Sequence, residues 1–297
     1  MQPRHILLAI LLAAVWGCNF LFIRFSLIEL PPFMLCATRF LLASFPAILF
    51  IKRPSLPALG FITLYGLVMF ATQFSLLFFG MKAGTSPAIA ALLLQIQIFF
   101  SIFFAMAFLH EKLNRWQVMG ALIAFSGIGL IGLHLGGELT WQGFILVIGA
   151  AATWGVGNLI SKKIKNVDVL SLIVWGSFIA FLPLLGLSLM FEGTSSMFAH
   201  PPHFAWLTIF SVGYIVMAST WFGYGTWNAL LSQYPISVIS PFTFLVPLFG
   251  MLCSYLVLGE AMQAWKIMAA ILIVGGLCVN LLGPRLFANK VTPVLEV

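Results

Sequence analysis

Ten apolar runs follow one another along this chain. Each is close to the roughly 20 residues that an α-helix needs to cross the hydrocarbon core of a bilayer. Their expected limits are 5–23, 33–51, 58–80, 86–108, 116–134, 141–161, 169–190, 204–230, 235–258 and 265–284. Glycine, proline and short polar stretches punctuate them: Pro31-Pro32, Lys52-Arg53-Pro54, Gly84-Thr85-Ser86-Pro87, His110 to Arg115, Gly136-Gly137, the lysines around Lys163, and Gly193 to Pro202. Ten helices consume about 200 residues, which leaves short loops and tails and no room for an extramembrane domain. Only 7% of the 297 residues are charged, against roughly a quarter in a soluble domain. Twenty-one charges cannot cover a soluble surface. With a mean hydropathy of +1.12, a soluble globule, a disordered chain and a nucleic-acid-binding module are excluded. The expected fold is an all-α polytopic membrane protein.

The N-terminus is expected to stay in place. Arg4 followed by Ile6–Val15 has the look of a signal peptide, and Val15-Trp16-Gly17-Cys18 hints at a lipoprotein cleavage box. A bulky Trp two residues before the cysteine is a poor cleavage context, and nine further spans follow. The four cysteines (Cys18, Cys36, Cys253, Cys278) lie inside apolar runs without CxxC spacing, so neither a disulfide framework nor a metal site is expected. No Walker loop, zinc spacing or Ser-His-Asp order is present, and neither an enzyme nor a cofactor is expected.

Basic residues orient membrane helices. With the N-terminus in the cytoplasm, the cytoplasmic segments carry Arg4, Lys52, Arg53, Lys112, Arg115, Lys162, Lys163, Lys165, Arg285 and Lys290; the other side carries Arg24, Arg39, Lys82 and Lys266. This bias predicts both termini inside, which requires an even number of spans.

The two halves echo each other. Ala14-Val15-Trp16-Gly17-Cys18-Asn19 is matched by Ala152-Thr153-Trp154-Gly155-Val156-Gly157-Asn158 with one extra residue. Glu111, Trp116 and Gly127 return as Glu260, Trp265 and Gly276, each 149 positions later. The expected units are a first five-helix repeat at 1–137 and a second at 138–297. Five is odd, so the second repeat must enter the membrane from the opposite side. Inverted repeats of this kind imply alternating access around a site near the midplane.

These features resemble the EamA-type exporters of the drug/metabolite transporter superfamily. The matching stretches are Trp16-Gly17-Cys18-Asn19-Phe20, Pro31-Pro32, Arg39-Phe40 with Phe45-Pro46, Leu94-Gln95-Ile96-Gln97, Glu111-Lys112-Leu113, Trp154-Gly155 with Asn158, Gly223-Tyr224-Gly225 and Leu245-Val246-Pro247. Ser171 to Trp175 and Tyr224-Gly225-Thr226-Trp227 resemble the members that export O-acetylserine and cysteine. The resemblance implies ten helices, a bacterial inner-membrane location and export of small amino-acid-like metabolites. Other drug/metabolite substrates, such as aromatic amino acids or amphipathic drugs, stay open, and so does a passive channel.

Several residues are candidates for carrying the transport. Arg39 is the clear intramembrane charge, about 9 Å into the second span. Two readings fit it: a donor fork for a substrate carboxylate, or a side chain that snorkels to an interface or bonds a neighbouring helix. Trp16 and Asn19 share a face of the first span, as Trp154 and Asn158 do on the sixth. They suit either an aromatic cavity with amide hydrogen-bonders or interhelical bonding. Gln73, Gln95 and Gln97 are polar groups in apolar helices; Gln95 and Gln97 lie about 200° apart around a helix and cannot both face one cavity. Tyr224, between two glycines, is a lining candidate. Pro241 and Pro247 in the ninth span suit either a gate hinge or a static kink. The paired glycines of the fifth and tenth spans suit close packing, within one chain or in a weak homodimer; the expected state is a monomer or a weak dimer. Every Asp and Glu falls at a helix end or loop, so substrate is expected to move down its gradient or by exchange rather than through a carboxylate proton relay.

Overall fold

The computed structural model describes residues 2–109, 115–134, 139–161, 167–193, 205–233, 242–243 and 245–286. Among the described residues the architecture is all-helical and contains ten helices. Helix α1 spans Pro3–Glu29, with its proline at the first turn, where no N–H is missed. It continues six residues past the expected end because Arg24 does not break it; Pro31 does. Helix α2 spans Pro32–Ser44 and stops before Phe45-Pro46, followed by a 3-10 turn at Ala47–Leu49. The expected run to 51 is therefore divided by a proline, whose preceding residue is pushed out of the helical region. Helix α3 spans Leu56–Lys82 and contains a π-helical stretch, Gly66–Thr72. Helix α4 runs through Pro87–Leu93, a 3-10 turn at Leu94–Ile96, and Gln97–Leu109. Helices α5 and α6 are Arg115–Gly132 and Trp141–Ser161. Helix α7 spans Val169–Glu192, capped at its start by the Asp168 carboxylate, which accepts from the amides of Leu170 and Ser171. Helix α8 runs through Trp206–Tyr214, a π-helical stretch Ile215–Phe222, and Gly223–Gln233. Helices α9 and α10 are Leu245–Leu258 and Ala264–Leu286. Among the described residues, α1, α2 with its 3-10 turn, α3, α7 and α8 are each long and apolar enough to cross a membrane. The other five present shorter apolar stretches, such as Pro87–Phe100 and Leu245–Leu258.

The packing shows how the halves are related. The principal helix pairs are α1 with α9, α4 with α6, α1 with α8, α3 with α6, α2 with α8, and α3 with α7. Exchanging α1–α5 for α6–α10 turns α1–α9 into α6–α4, α1–α8 into α6–α3, and α2–α8 into α7–α3. The pairs α2–α7, α4–α9 and α5–α10 map onto themselves. That pattern is a two-fold relation, and five helices per unit place its axis in the membrane plane, so the repeats are inverted.

Small residues set the closest approaches, as membrane helices require. In the α5–α10 pair, a Cβ on Gly276 would lie 2.5 Å from the Gly120 carbonyl oxygen, and one on Gly127 would lie 3.1 Å from that of Ala269. Their partners Gly129 and Gly275 face open space. Half of that expected glycine surface is thus spent inside the chain.

Side chains clasp one end of the bundle. Glu192, at the end of α7, accepts from the backbone amides of Phe33 and Met34 at 2.7 and 2.9 Å, capping α2, and from the Ser188 hydroxyl at 2.8 Å. Lys82 donates to the Leu27 carbonyl at 2.7 Å, and the Glu29 carboxylate accepts from the Ala205 amide at 3.2 Å. A carboxylate at a helix N-terminus satisfies otherwise orphaned donors. Glu192→Ala is expected to lower stability by about 1–2 kcal/mol, with Glu192→Gln in between. Thermal denaturation in detergent would measure this, and an unchanged midpoint in Glu192→Ala would refute the cap.

Candidate functional site

Arg39 lies in the middle of α2, only 1% exposed. The α2 backbone aims it inward at α8 rather than along the helix toward an interface. Its Nε donates to the Thr220 hydroxyl at 3.2 Å. Its guanidinium carbon sits 3.9 Å from the centroid of the Phe74 ring and 5.4 Å from that of Phe40, close enough for cation–π attraction in a dry setting. Its Nη1 is buried and, among the described residues, has no hydrogen-bond partner. Buried polar groups are nearly always paired, so such an atom calls for an explanation.

A chain of aromatic rings leads away from this charge. Phe74 meets Phe40 at 5.6 Å, Phe40 stacks on Phe70 at 5.1 Å, and Phe70 meets Tyr224 at 6.0 Å. Tyr224 then lies edge-on to Trp16 at 5.8 Å, and Trp16 lies 5.7 Å from Trp227. The Trp16 indole N–H donates to the Ser219 carbonyl at 3.1 Å. Gly223 permits this approach, because a Cβ there would collide with the Trp16 indole; Gly225, on the other side of Tyr224, faces open space. Four helices, α1, α2, α3 and α8, thus bring Trp16, Arg39 and Tyr224 into one array.

The remaining candidates are spread around it. Asn19, one turn beyond Trp16, is buried, and its Oδ1 has no hydrogen-bond partner among the described residues. Gln73, in α3 beside Phe74, is buried, and its Oε1 likewise has none among them. Gln95, on the 3-10 turn of α4, donates to the Thr243 carbonyl at 2.9 Å and ties α4 to the chain just before α9. Trp154 is half-buried in α6 and packs on the apolar core; among the described residues no ring contact joins it to the array. Asn158 belongs to α6, but its side chain lies outside the described residues, as does Pro241. Pro247 is the third residue of α9 and is buried; at that position its missing N–H costs no intrahelical bond.

A narrow crevice bounded by Ala9, Leu12, Ala13, Trp16, Trp227 and Val246 ends on the ring array. Its free volume, about 10 Å³, holds about one water molecule and is far too small for a metabolite. Among the described residues, this crevice gives a metabolite no passage to the array.

Residue-by-residue reading missed Thr220, Phe70 and Phe74. The signal for Thr220 is its position four residues before Tyr224, on the same helical face. Phe70 and Phe74 stand in the same relation to each other. Three π-helical stretches were also unforeseen: one closes α7 at Ser188–Glu192, and the other two, in α3 and α8, occupy equivalent places in the halves. The latter two start at Gly66 and Ile215, 149 positions apart, which is the offset that separates Glu111 from Glu260. Each carries a threonine hydroxyl that donates five residues back: Thr72 to the Leu67 carbonyl at 3.0 Å, and Thr220 to that of Ile215 at 2.9 Å. π-helical turns inside α-helices are rare and frequent at functional sites.

Comparison with known proteins agrees with this architecture. The model of the EamA-like transporter family matches twice, over residues 3–133 and 141–282. A probable amino-acid metabolite efflux pump of Salmonella typhimurium strain LT2 is 37% identical over 284 residues, covering 94% of this chain and 95% of that protein. One of the same description from Escherichia coli strain K12 is 35% identical, covering 96% and 97%. A solved crystal structure superposes with a TM-score of 0.68 at 18% identity, covering 96% of this chain and all of the other, and so shares the fold. With its duplicated five-helix unit, the chain is a multi-pass membrane transporter and not an enzyme, and it belongs to the EamA-like transporter family.

Proposed function

We propose that this protein exports small amino-acid-like metabolites, of the O-acetylserine and cysteine type, across the bacterial inner membrane by alternating access, with both termini in the cytoplasm. The observation that carries this reading is that three of the candidate residues hold buried polar atoms with no hydrogen-bond partner among the described residues. Arg39 Nη1 is a donor that suits a carboxylate, while Asn19 Oδ1 and Gln73 Oε1 are acceptors that suit an ammonium group. A zwitterion supplies both complements. One guanidinium is a poor host for a phosphate ester, which takes several basic groups. The aromatic array gives the side chain of such a metabolite an apolar wall. The descriptions of the two enterobacterial relatives point the same way. Pro241 and Pro247 belong to this proposal as gate elements around α9.

The test is a metabolite profile of the medium from cells overproducing the protein, beside cells producing Arg39→Lys. The expected result is enrichment of O-acetylserine, cysteine or related amino acids that falls sharply in the variant. Enrichment of compounds without a carboxylate, or equal enrichment by both proteins, would overturn the reading.

A further inference from the structure

We propose that Thr220 is a positioning residue for substrate recognition: it holds Arg39 by its Nε so that the Nη1 edge of the guanidinium faces the carboxylate of the transported metabolite. This rests on the reading of Arg39 given above. An arginine side chain has many rotamers, and a flexible guanidinium pays entropy each time it binds a carboxylate. Arg39 has little of that freedom. The Phe74 ring 3.9 Å from its guanidinium carbon constrains it from one side, and the Thr220 hydroxyl at 3.2 Å fixes its Nε. What stays buried and unpartnered is Nη1.

The Thr220 hydroxyl can do this because of the backbone around it. A hydroxyl has one proton and two lone pairs. The proton goes to the Ile215 carbonyl five residues back, at 2.9 Å, inside the π-helical stretch of α8. With the proton committed there, the lone pairs turn toward α2 and accept from Arg39. Thr220 is fully buried, so no water competes for the contact. In an ordinary α-helical turn a threonine hydroxyl bonds three or four residues back, so the π-turn sets where this lone pair points. Helix α3 has the same threonine device at Thr72, but that contact is exposed. Of these two threonines, the one in α8 is buried against a charge, which distinguishes recognition from helix geometry alone.

The test uses the full-length protein in proteoliposomes, with O-acetyl-L-serine, L-cysteine and L-cysteinamide as probes, in the wild type, Thr220→Val, Thr220→Ser and Arg39→Lys. Valine keeps the branched shape and removes the hydroxyl; serine restores it. The half-saturation concentration for the two carboxylate probes is expected to rise on the order of tenfold in Thr220→Val, with the maximal rate little changed, and to return within about twofold in Thr220→Ser. L-cysteinamide, which lacks the carboxylate, should be insensitive to all three variants. If Thr220→Val matches the wild type while Arg39→Lys is impaired, the positioning role is wrong and the Arg39 site stands. If Arg39→Lys also matches the wild type, or if the wild type takes up neither carboxylate probe, the recognition reading falls and this inference with it. Should Thr220→Val not yield folded protein, Thr220→Ala takes its place in the same comparison. A loss that serine does not restore, or that affects L-cysteinamide equally, would make Thr220 a structural residue and overturn the proposal.

Discussion

Arg39→Leu should give a folded protein that no longer exports. The half-saturation concentration for a carboxylate-bearing metabolite is expected to rise at least 100-fold, about 2.7 kcal/mol. Hydrogen bonds from a charged donor in a dry site are worth about 1.5–3 kcal/mol each, and a guanidinium edge presents a carboxylate with a fixed pair of donors. Leucine has neither the charge nor the donors. The fold should survive because a buried charge is costly to keep, and an apolar side chain in its place is commonly neutral or stabilising. No donor is orphaned either: the Thr220 hydroxyl still gives its proton to the Ile215 carbonyl. Arg39→Lys should fall between, since an ammonium keeps the charge but not the planar fork. Transport in proteoliposomes together with the thermal midpoint in detergent separates the possibilities. Undiminished transport by Arg39→Leu, or a variant that cannot be recovered folded, would show that the side chain serves packing and not cargo.

Gly17→Ala should have the opposite signature, a damaged fold. A Cβ at Gly17 would lie 2.6 Å from the Val246 carbonyl oxygen, 2.6 Å from the Phe249 Cβ and 2.9 Å from the Gly250 amide nitrogen. Two of these are backbone atoms of α9 and cannot rotate away. Gly250 is itself pressed from the other side: a Cβ there would lie 2.9 Å from that of Ala91 in α4. The junction of α1, α9 and α4 therefore has no slack, and overpacking it is expected to cost about 3 kcal/mol or more. Gly129→Ala is the matched control. Nothing lies within 4 Å of a Cβ there, and alanine favours a helix over glycine by up to about 1 kcal/mol. A marked fall in thermal midpoint for Gly17→Ala and none for Gly129→Ala is the expected pair of results. Equal midpoints in the two variants would mean that α1 and α9 are not held in this contact in solution.

Much of the fold could be read one segment at a time. The ten spans are visible because each must be apolar over its own length, whatever its neighbours are. Proline and glycine mark where they stop; the expected first span ended at the last apolar run, at 23, whereas the helix continues to Glu29, because a single charge near an interface leaves the backbone ladder intact. The duplication was legible because Trp16 with Asn19, Glu111, Trp116 and Gly127 each have a counterpart in the second half. The candidate site was legible only in part. Trp16, Arg39 and Tyr224 stand out as unusual residues in apolar helices, and the structure joins them. Phe70 and Phe74 do not stand out, because the chain holds 30 phenylalanines. Gln95 is equally polar on paper, yet its amide is spent on the Thr243 carbonyl.

By itself, the order of residues determined that this protein lies in a membrane, that it has ten helices, and that its two halves are inverted copies. Each of these depends on local hydrophobicity or on counting. The tertiary structure alone decided which polar groups are satisfied and which are left over. Hydrogen bonding between helices is a matter of distance and angle across more than a hundred residues of chain: Arg39 meets Thr220 from 181 positions away. A π-turn in α8 sets the direction of the Thr220 lone pair, and no residue type announces such a turn in advance.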